Sequence, residues 1–185
     1  MLADGLRLGR VRPYIYEFDL LTGQRIGSVS LPNKFLIDFP SADGNKELTA
    51  NISGRQANRG MEGLAISPDG TRLYGMMQSA LIQDGALNYA TNPPSRIGTN
   101  NRIVEINLVT GAIREFLYQL DSASNGVNEI LAVNDHEFLV IERDGRAGAS
   151  AAFKRSSRST SRTRPTRPPT FEGFPSCRRR GLQLA

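Results

Sequence analysis

The stretch RIVEINLVTG, residues 102–111, gives the clearest indication of the fold class of this chain. Apolar and polar residues alternate along it, and the alternation resumes after the glycine, over residues 112–120. Alternation with a period of two is typical of a half-buried strand, and glycine supplies the positive φ that a tight hairpin turn needs. The stretch YIYEFDLLTG, residues 14–23, repeats the pattern and is followed by residues 24–31. Both segments therefore predict β-hairpins closed by a Thr-Gly turn.

A second hairpin type alternates with the first. It appears as GLAISPDGTRLYGMM, residues 63–77, and as EILAVNDHEFLVIE, residues 129–142. Pro-Asp-Gly and Asn-Asp form turns through a preset φ and through side-chain hydrogen bonds to the backbone. Two hairpins make a four-stranded antiparallel blade, and blades repeated around an axis make a propeller.

The order of hairpins predicts an all-β fold of antiparallel four-stranded blades in a partial β-propeller. Residues 1–150 are expected to hold about two blades (half of one, one whole and half of the next), where a propeller has typically about four to eight. A β-sandwich is the alternative, and strict alternation of hairpin types without a helical pattern favours the propeller. Two long connections, 33–60 and 82–101, interrupt the strands, and loops of this length are usually functional or disordered.

The basic character of the chain is concentrated in its last residues. The net charge is +5, yet nine Lys and Arg residues against one acid lie in residues 151–185. Residues 1–150 carry 14 bases and 17 acids, so they give no reason to expect a nucleic-acid partner. Low hydrophobicity predicts that residues 151–185 form a disordered Arg-rich tail. An arm that binds nucleic acid or a membrane surface is the rival interpretation.

Neither a membrane span nor a secretion signal is predicted. No apolar run approaches the roughly 18–20 residues that a spanning helix needs. The first residues, MLADG, lack the basic region and apolar stretch of a signal peptide. Cys177 is the single cysteine, so no disulfide within the chain is possible, and nothing in the sequence indicates an oligomeric state.

Several carboxylates stand where loops are expected to gather. Glu62 and Glu129 precede inner strands of the two predicted blades, and Glu142 and Asp144 flank Arg143 at the end of another strand. Inner-strand entries surround the channel of a propeller, so we expect Glu62 and Glu129 to converge. Such carboxylates bind hard cations such as Ca²⁺ or act as general acids and bases, and an arginine beside them suits a phosphate or carboxylate. The alternative is that each is a solvated turn residue.

Other site types are excluded by composition. His136 is the only histidine and falls in a predicted turn without a partner nearby. This excludes a Ser-His-Asp site with an ordinary histidine and a zinc site of the histidine type. The glycine-rich segments do not lead from a strand into a helix, so none matches a phosphate-binding loop.

Three segments resemble the phytase-like family, named for esterase-like activity of phytase. They are NRGMEGLAISPDGTRLY at 58–74, RIVEI at 102–106 and the strands at 129–144, which end in FLVIERD. The resemblance covers roughly residues 14–154. It implies a propeller-type domain, usually exported to the periplasm or secreted, with Asp and Glu residues that serve hydrolysis of a small-molecule phosphoester.

Matched position by position, the resemblance assigns roles to six residues. It implies catalytic roles for Glu62, Glu129, Glu142 and Asp144, substrate binding by Arg143 and Asn58, and Ca²⁺ binding by Glu62 and Asp144. A non-catalytic propeller module that binds a protein or glycan through its long loops is the second hypothesis. A truncated gene product that does not fold is the third.

The chain departs from the family at both ends. Relatives usually read Asp-Glu-Tyr-Gly-Pro before the first strand, where this chain has GRVRP at 9–13. One codon choice for residues 9–12, read one base later, gives Asp-Glu-Tyr-Gly. One choice for residues 155–166, read two bases later, gives Ile-Phe-Lys-Ile-Asp-Leu-Ala-Asp-Ala-Thr-Asp. We therefore hypothesise a fragment with both ends out of frame, and with impaired activity.

Overall fold

The computed structural model describes residues 13–161 and a further strand at 177–182. The described residues form antiparallel sheets of two to four strands and one α-helix, so the fold is mostly β. In chain order the elements are β1 Ile15–Phe18, β2 Arg25–Val29, α1 Gly44–Ala50, β3 Met61–Ile66, β4 Arg72–Met77, β5 Leu87–Asn88, β6 Ser95–Arg96, β7 Asn100–Asn107, β8 Ile113–Gln119, β9 Gly126–Ala132, β10 Glu137–Arg143, β11 Lys154–Ser161 and β12 Cys177–Leu182.

The first four-stranded sheet has the order β3-β4-β7-β8. Leu73 lies opposite Ile106 across β4 and β7, and Ile103 lies opposite Phe116 across β7 and β8. The prediction that a turn-Asp hairpin and a Thr-Gly hairpin share one sheet is therefore confirmed here. The separate β1–β2 hairpin packs Ile15 against the same sheet.

Both Thr-Gly turns have the predicted chemistry. The carboxylate of Asp19 accepts hydrogen bonds from the N–H groups two and three residues on, at 3.0 and 2.7 Å. The side-chain oxygen of Asn107 does the same at 2.9 and 2.8 Å. Gly23 and Gly111 follow with φ of 67° and 72°, the left-handed region that glycine adopts without strain.

The second four-stranded sheet, of order β9-β10-β11-β12, corrects the prediction of a disordered tail. β11 pairs with the whole of β10, from Glu137 opposite Thr160 to Arg143 opposite Lys154. β12 then pairs with β11 from Ser156 to Ser161. The prediction is wrong for these two strands, and it falls outside the described residues at 162–176 and 183–185.

Backbone pairing explains why low hydrophobicity misled the prediction. The free edge of β10 offers unpaired N–H and C=O groups, which another strand satisfies whatever its side chains are. The sequence of β11 also fits the alternating faces of a strand, because the small residues Ser157 and Ser159 are buried while Arg158 between them is exposed. The hypothesis of a shifted reading frame stays a prediction, and residues 9–12 lie outside the described part.

The two long connections contain short elements that the sequence did not predict. α1 lies in the first connection, and Asp43 is its N-cap. The carboxylate of Asp43 accepts hydrogen bonds from the N–H groups of Asn45 and Lys46. This helix departs from the all-β prediction. The second connection carries the β5–β6 hairpin. No helix in the described part of the chain is long and apolar enough to cross a membrane.

The two large sheets lie side by side through their first strands. Gly63 of β3 comes so close to Ile130 of β9 that a Cβ on the glycine would lie 3.0 Å from the Ile130 backbone nitrogen. Tyr74 and Phe138 meet edge to face between the sheets, with ring centroids 4.7 Å apart. The described residues form no closed ring of sheets, so the propeller itself stays a prediction.

Candidate functional site

Each large sheet carries one bulge, at the same place in its first strand. In β3, Met61 pairs with Met77 and Gly63 with the residue before it, which leaves Glu62 as the extra residue. In β9 the corresponding shift lies between Val127 and Glu129, so the extra residue is Asn128. A bulge re-aims a side chain relative to the regular strand. Glu62 and Asn128 are therefore the equivalent residues of the two sheets.

The second strands contribute an equivalent pair of side chains. Gln78 follows the end of β4, and Arg143 is the last residue of β10. Together with Glu62, Asn128 and Asn58 they line a pocket of about 240 Å³. The pocket is thus built from matching positions of two adjacent sheets, plus one residue of the connection before β3.

Backbone hydrogen bonds hold the strands that carry these side chains. The N–H of Gln78 donates to the carbonyl of Gly60 at 2.8 Å, and the N–H of Val127 donates to the carbonyl of Gln78 at 2.8 Å. The N–H of Gly60 also donates to the Glu62 carboxylate at 3.2 Å. These bonds tie the connection before β3 to β4 and β9, so the pocket has a fixed frame.

Asn58 enters the pocket from a strained backbone position. Its φ is 54°, and it is the one residue other than glycine in the described part of the chain with a positive φ. Asparagine tolerates the left-handed region better than most residues, and such strain is concentrated at functional sites. A bridge between Gln56 and Arg59 closes the turn around it.

Two arginines belong to this region of the molecule, Arg143 in the pocket and Arg59 beside Asn58 in the chain. Arg143 donates to the backbone carbonyl of Asp144 at 2.9 Å, and Arg59 donates to the carbonyl of Asn125 at 3.5 Å. Burial, and secondarily the positive charge of Arg143, lower the pKa of Arg59. Within residues 13–160, neither guanidinium has a carboxylate within salt-bridge distance.

Of the six predicted site residues, the structure brings three into the pocket: Asn58, Glu62 and Arg143. Glu129 does not line it, and its carboxylate accepts the N–H of the next residue, Ile130, at 3.0 Å. The expected equivalence of Glu62 and Glu129 is wrong by one residue because of the bulge. The position equivalent to Glu129 is Gly63.

Glu142 lies in the core and not in the pocket. Its side chain is 0% exposed. It accepts hydrogen bonds from the Tyr118 hydroxyl, the Asn125 amide and the Asp121 N–H, each at 2.8 Å. Through these hydrogen bonds the buried carboxylate joins β10 to β8 and to the loop before β9, and so stabilises the fold.

Asp144 organises the loop after β10. Its carboxylate accepts the N–H groups of Ala152, Phe153 and Arg146 at 2.8, 3.1 and 3.2 Å. These hydrogen bonds, the one from Ala152 first, lower the pKa of Asp144. The loop that it closes leads into β11, so Asp144 helps to place the third strand of the second sheet.

The oxygen ligands that the pocket offers fit a calcium ion poorly. Ca²⁺ takes about six to eight oxygen ligands, usually with several carboxylates. The pocket offers the carboxylate of Glu62 and amide oxygens, beside the positive charge of Arg143. Among residues 13–160, no group of three or more His, Cys, Asp or Glu side chains is placed to hold a metal ion.

Gln78 and Asn128 are site residues that the sequence did not reveal. An amide at a strand end has no distinctive sequence signal, and a bulge is not visible in the alternation of apolar residues. Asn128 directly precedes Glu129, so a shift of one residue hid it. The lining of the pocket shows that both side chains reach it, and the register of β9 with β10 explains why Asn128 does so.

Comparisons with known proteins agree with the resemblance in the motifs. The profile of the family described as "Phytase-like: Esterase-like activity of phytase" matches residues 5–172. A protein of Arthroderma benhamiae (strain ATCC MYA-4681 / CBS 112371), described as "Uncharacterized secreted protein", is 27% identical over 167 positions. The alignment covers 78% of this chain and 32% of that protein, so the chain spans about a third of its relative. No solved structure matches. The chain belongs to the phytase-like family.

Proposed function

We propose that the pocket binds the phosphoryl group of a small-molecule phosphoester and that the domain is a phosphoester hydrolase. The observation that carries this proposal is the meeting of Glu62, Arg143 and Asn58 in one pocket. Arg143, which has no carboxylate partner within residues 13–160, suits a phosphoryl oxygen, and the amides of Asn58, Gln78 and Asn128 add neutral hydrogen-bond donors.

The chemistry that this arrangement supports is general-base hydrolysis. Arg143 holds two phosphoryl oxygens, and the exposed carboxylate of Glu62 takes a proton from a water molecule. The water oxygen forms a bond to phosphorus as the bond to the leaving oxygen breaks. The proton then passes from Glu62 to the leaving group, so the carboxylate is regenerated.

Hydrolysis by this chain is expected to be weak. A single carboxylate lines the described pocket, and the carboxylate of Asp144 accepts hydrogen bonds from the loop after β10. Calcium remains a prediction in which Glu62 would supply the charged ligand, and no step is derived through it. By analogy with the relative's description, we also propose that the domain works outside the cell.

The second candidate is a module that binds an anionic ligand without cleaving it. The observation in its favour is the composition of the pocket, with three amides, one guanidinium and one carboxylate. Amides and arginine bind anions well, whereas hydrolysis needs acids and bases in addition.

Hydrolysis of bis-(4-nitrophenyl) phosphate, with and without Ca²⁺, separates the two candidates. We expect slow release of nitrophenolate that falls by about two orders of magnitude or more in Glu62→Gln. Glu17→Gln, at an exposed position of β1, is the matched control and should retain activity. Binding of the ester with no release in any variant would support the module. Thermal stabilisation by Ca²⁺ that Glu62→Gln abolishes would support a metal at the pocket.

A further inference from the structure

We propose that a groove beside the pocket is the subsite for the organic group of the phosphoester. Arg59, which lines the groove and follows the pocket residue Asn58 in the chain, serves as a second contact for the anion. The inference rests on the proposed function, because it takes the phosphoryl group to lie against Arg143. It adds a substrate class, since the groove determines which organic groups the site accepts.

The groove has a volume of about 630 Å³ and is lined by three separate parts of the chain. α1 contributes Asn45 and Leu48, the segment around β6 contributes Pro93 and Ile97, and the loop before β9 contributes Ser124. The walls therefore combine apolar surface with small polar groups. A groove of this composition suits the face of a ring or short chain and leaves hydrogen-bond partners at its edges.

Arg59 connects the groove to the pocket through its neighbour in the chain. Asn58 lines the pocket, and Arg59 lines the groove. The Arg59 guanidinium makes one long hydrogen bond to a carbonyl, at 3.5 Å, and it has no ion pair within residues 13–160. By contrast, Arg55 and Arg102 each hold a carboxylate, at 2.8 and 2.6 Å.

An anion between Arg59 and Arg143 would relieve the repulsion between the two. Like charges that face each other without a counterion destabilise their charged forms. Burial is the first cause of the lowered pKa of Arg59 and the charge of Arg143 is the second, which agrees with the position of Arg59 next to the pocket residue Asn58. A phosphoryl group has enough oxygens to accept hydrogen bonds from both guanidinium groups.

The charge of the groove limits the organic group. None of the described residues that line it is acidic, and Arg59 and Arg96 are both basic. An uncharged or anionic group is therefore favoured, and a cationic group is disfavoured. Phenyl phosphate should bind more tightly than inorganic phosphate, while phosphoethanolamine, with its ammonium group, should not.

Calorimetric titration of the full chain at constant ionic strength tests the proposal. We expect phenyl phosphate to bind about tenfold more tightly than inorganic phosphate. Arg59→Gln should weaken both ligands by about tenfold, since each loses a hydrogen bond to a charged group. Arg25→Gln is the matched control and should leave both affinities unchanged, because Arg25, on β2, lies over the ring of Tyr16 and lines neither the groove nor the pocket.

Blocking the groove separates this inference from the proposed function. Ser124→Trp should abolish the advantage of phenyl phosphate and leave phosphate binding intact, whereas Ser124→Ala should leave both unchanged. Asn45→Phe fills the groove from α1 and gives a second block if the first variant does not fold. Equal affinities for the two ligands in the unchanged chain, or no effect of either block, would overturn the subsite alone. Absence of phosphate binding would overturn the proposed function and the subsite with it.

Discussion

The two large sheets have the same strand pairing and bulges but differ at several buried positions. In each sheet, one buried residue of the second strand pairs with the residue just before the bulge. This residue is Met77 in the first sheet and Glu142 in the second. The third strand of the first sheet buries Val104 among apolar neighbours, whereas β11 buries Ser157 and Ser159. Both sheets contribute apolar side chains to one core, but at these positions the first sheet is stabilised by apolar burial and the second depends on hydrogen bonds to a carboxylate.

The difference between the sheets explains how the strand that carries Arg143 is held in place. Arg143 directly follows Glu142 in β10, so the hydrogen bonds that fix Glu142 also fix the backbone that carries the pocket arginine. Polar cores are costly when a partner is lost, because each abandoned donor or acceptor is then buried without a hydrogen bond. The second sheet should therefore be the more sensitive one.

The largest expected effect is that of Glu142→Ala. It leaves three donors without their acceptor and opens a cavity, so we expect a loss of about 4 kcal/mol in the free energy of unfolding. Met77→Leu, the control at the equivalent position of the first sheet, should cost less than about 1.5 kcal/mol. Urea unfolding followed by circular dichroism measures both. Equal costs would contradict the difference between the sheets.

Two buried tyrosines allow a more conservative comparison. Tyr118→Phe removes a hydrogen bond to the Glu142 carboxylate and should cost about 2 kcal/mol, as bonds to charged groups do. Tyr74→Phe removes a bond of 3.2 Å to the Asp135 carbonyl and should cost about 1 kcal/mol or less. The same unfolding experiment applies, and a larger loss for Tyr74→Phe would reverse the expected order.

Removing a buried hydroxyl should stabilise the second sheet. The hydroxyl of Ser157 is fully buried and has no hydrogen-bond partner within the described residues. We expect Ser157→Ala to raise the free energy of unfolding by about 1 kcal/mol, since an unsatisfied polar group is removed. Ser159→Ala is the control, because Ser159 is equally buried and has a partner. A stabilisation of the same size at Ser159 would show that the hydroxyl of Ser157 is not the cause.

The smallest expected effect is a pH dependence in the exposed turn of the first sheet. The hydrogen bond from the Ser67 hydroxyl, with others from Thr71, lowers the pKa of Asp69 from 3.8 to about 2. A lowered carboxyl pKa contributes stability that is present above the unfolded value and is lost as pH falls through the folded value. The turn should therefore weaken between about pH 4 and pH 2. Carbon-detected NMR titration of Asp69 measures this, and a midpoint near 4 would contradict it.

The hairpins could be predicted because their determinants are local. The Thr-Gly turns need only an Asp or Asn acceptor and a glycine, and both lie within five residues of each other in the sequence. The resemblance in the motifs likewise led to Glu62, Arg143 and Asn58. These are positions where one short segment contains the whole signal.

The remaining features depend on contacts between distant segments. The bulge in β9 follows from its pairing with β10, and it brings Asn128 into the pocket where the sequence predicts Glu129. The burial of Glu142 depends on donors from β8 and the loop after it. The pairing of β11 with β10 joins backbone groups of two segments, and the low hydrophobicity of β11 does not reveal it.

The buried serines also bear on the hypothesis of a shifted reading frame. Aligned by its bases, the shifted peptide puts phenylalanine at position 157, lysine at 158 and isoleucine at 159. Apolar residues would then occupy the two buried positions of β11, and a charged one the exposed position. We expect the gene to encode this peptide in the shifted frame, and codons that do not would contradict the hypothesis.

The central claim is that the bulge residues and Arg143 form one anion-binding pocket. A titration of ¹⁵N-labelled chain with inorganic phosphate at constant ionic strength, followed by amide chemical shifts, tests it most directly. We predict saturable shifts concentrated at residues 58–62, at Gln78, at residues 126–128 and at Arg143. Shifts spread over the surface arginines, or no saturable shift at these residues, would contradict the account.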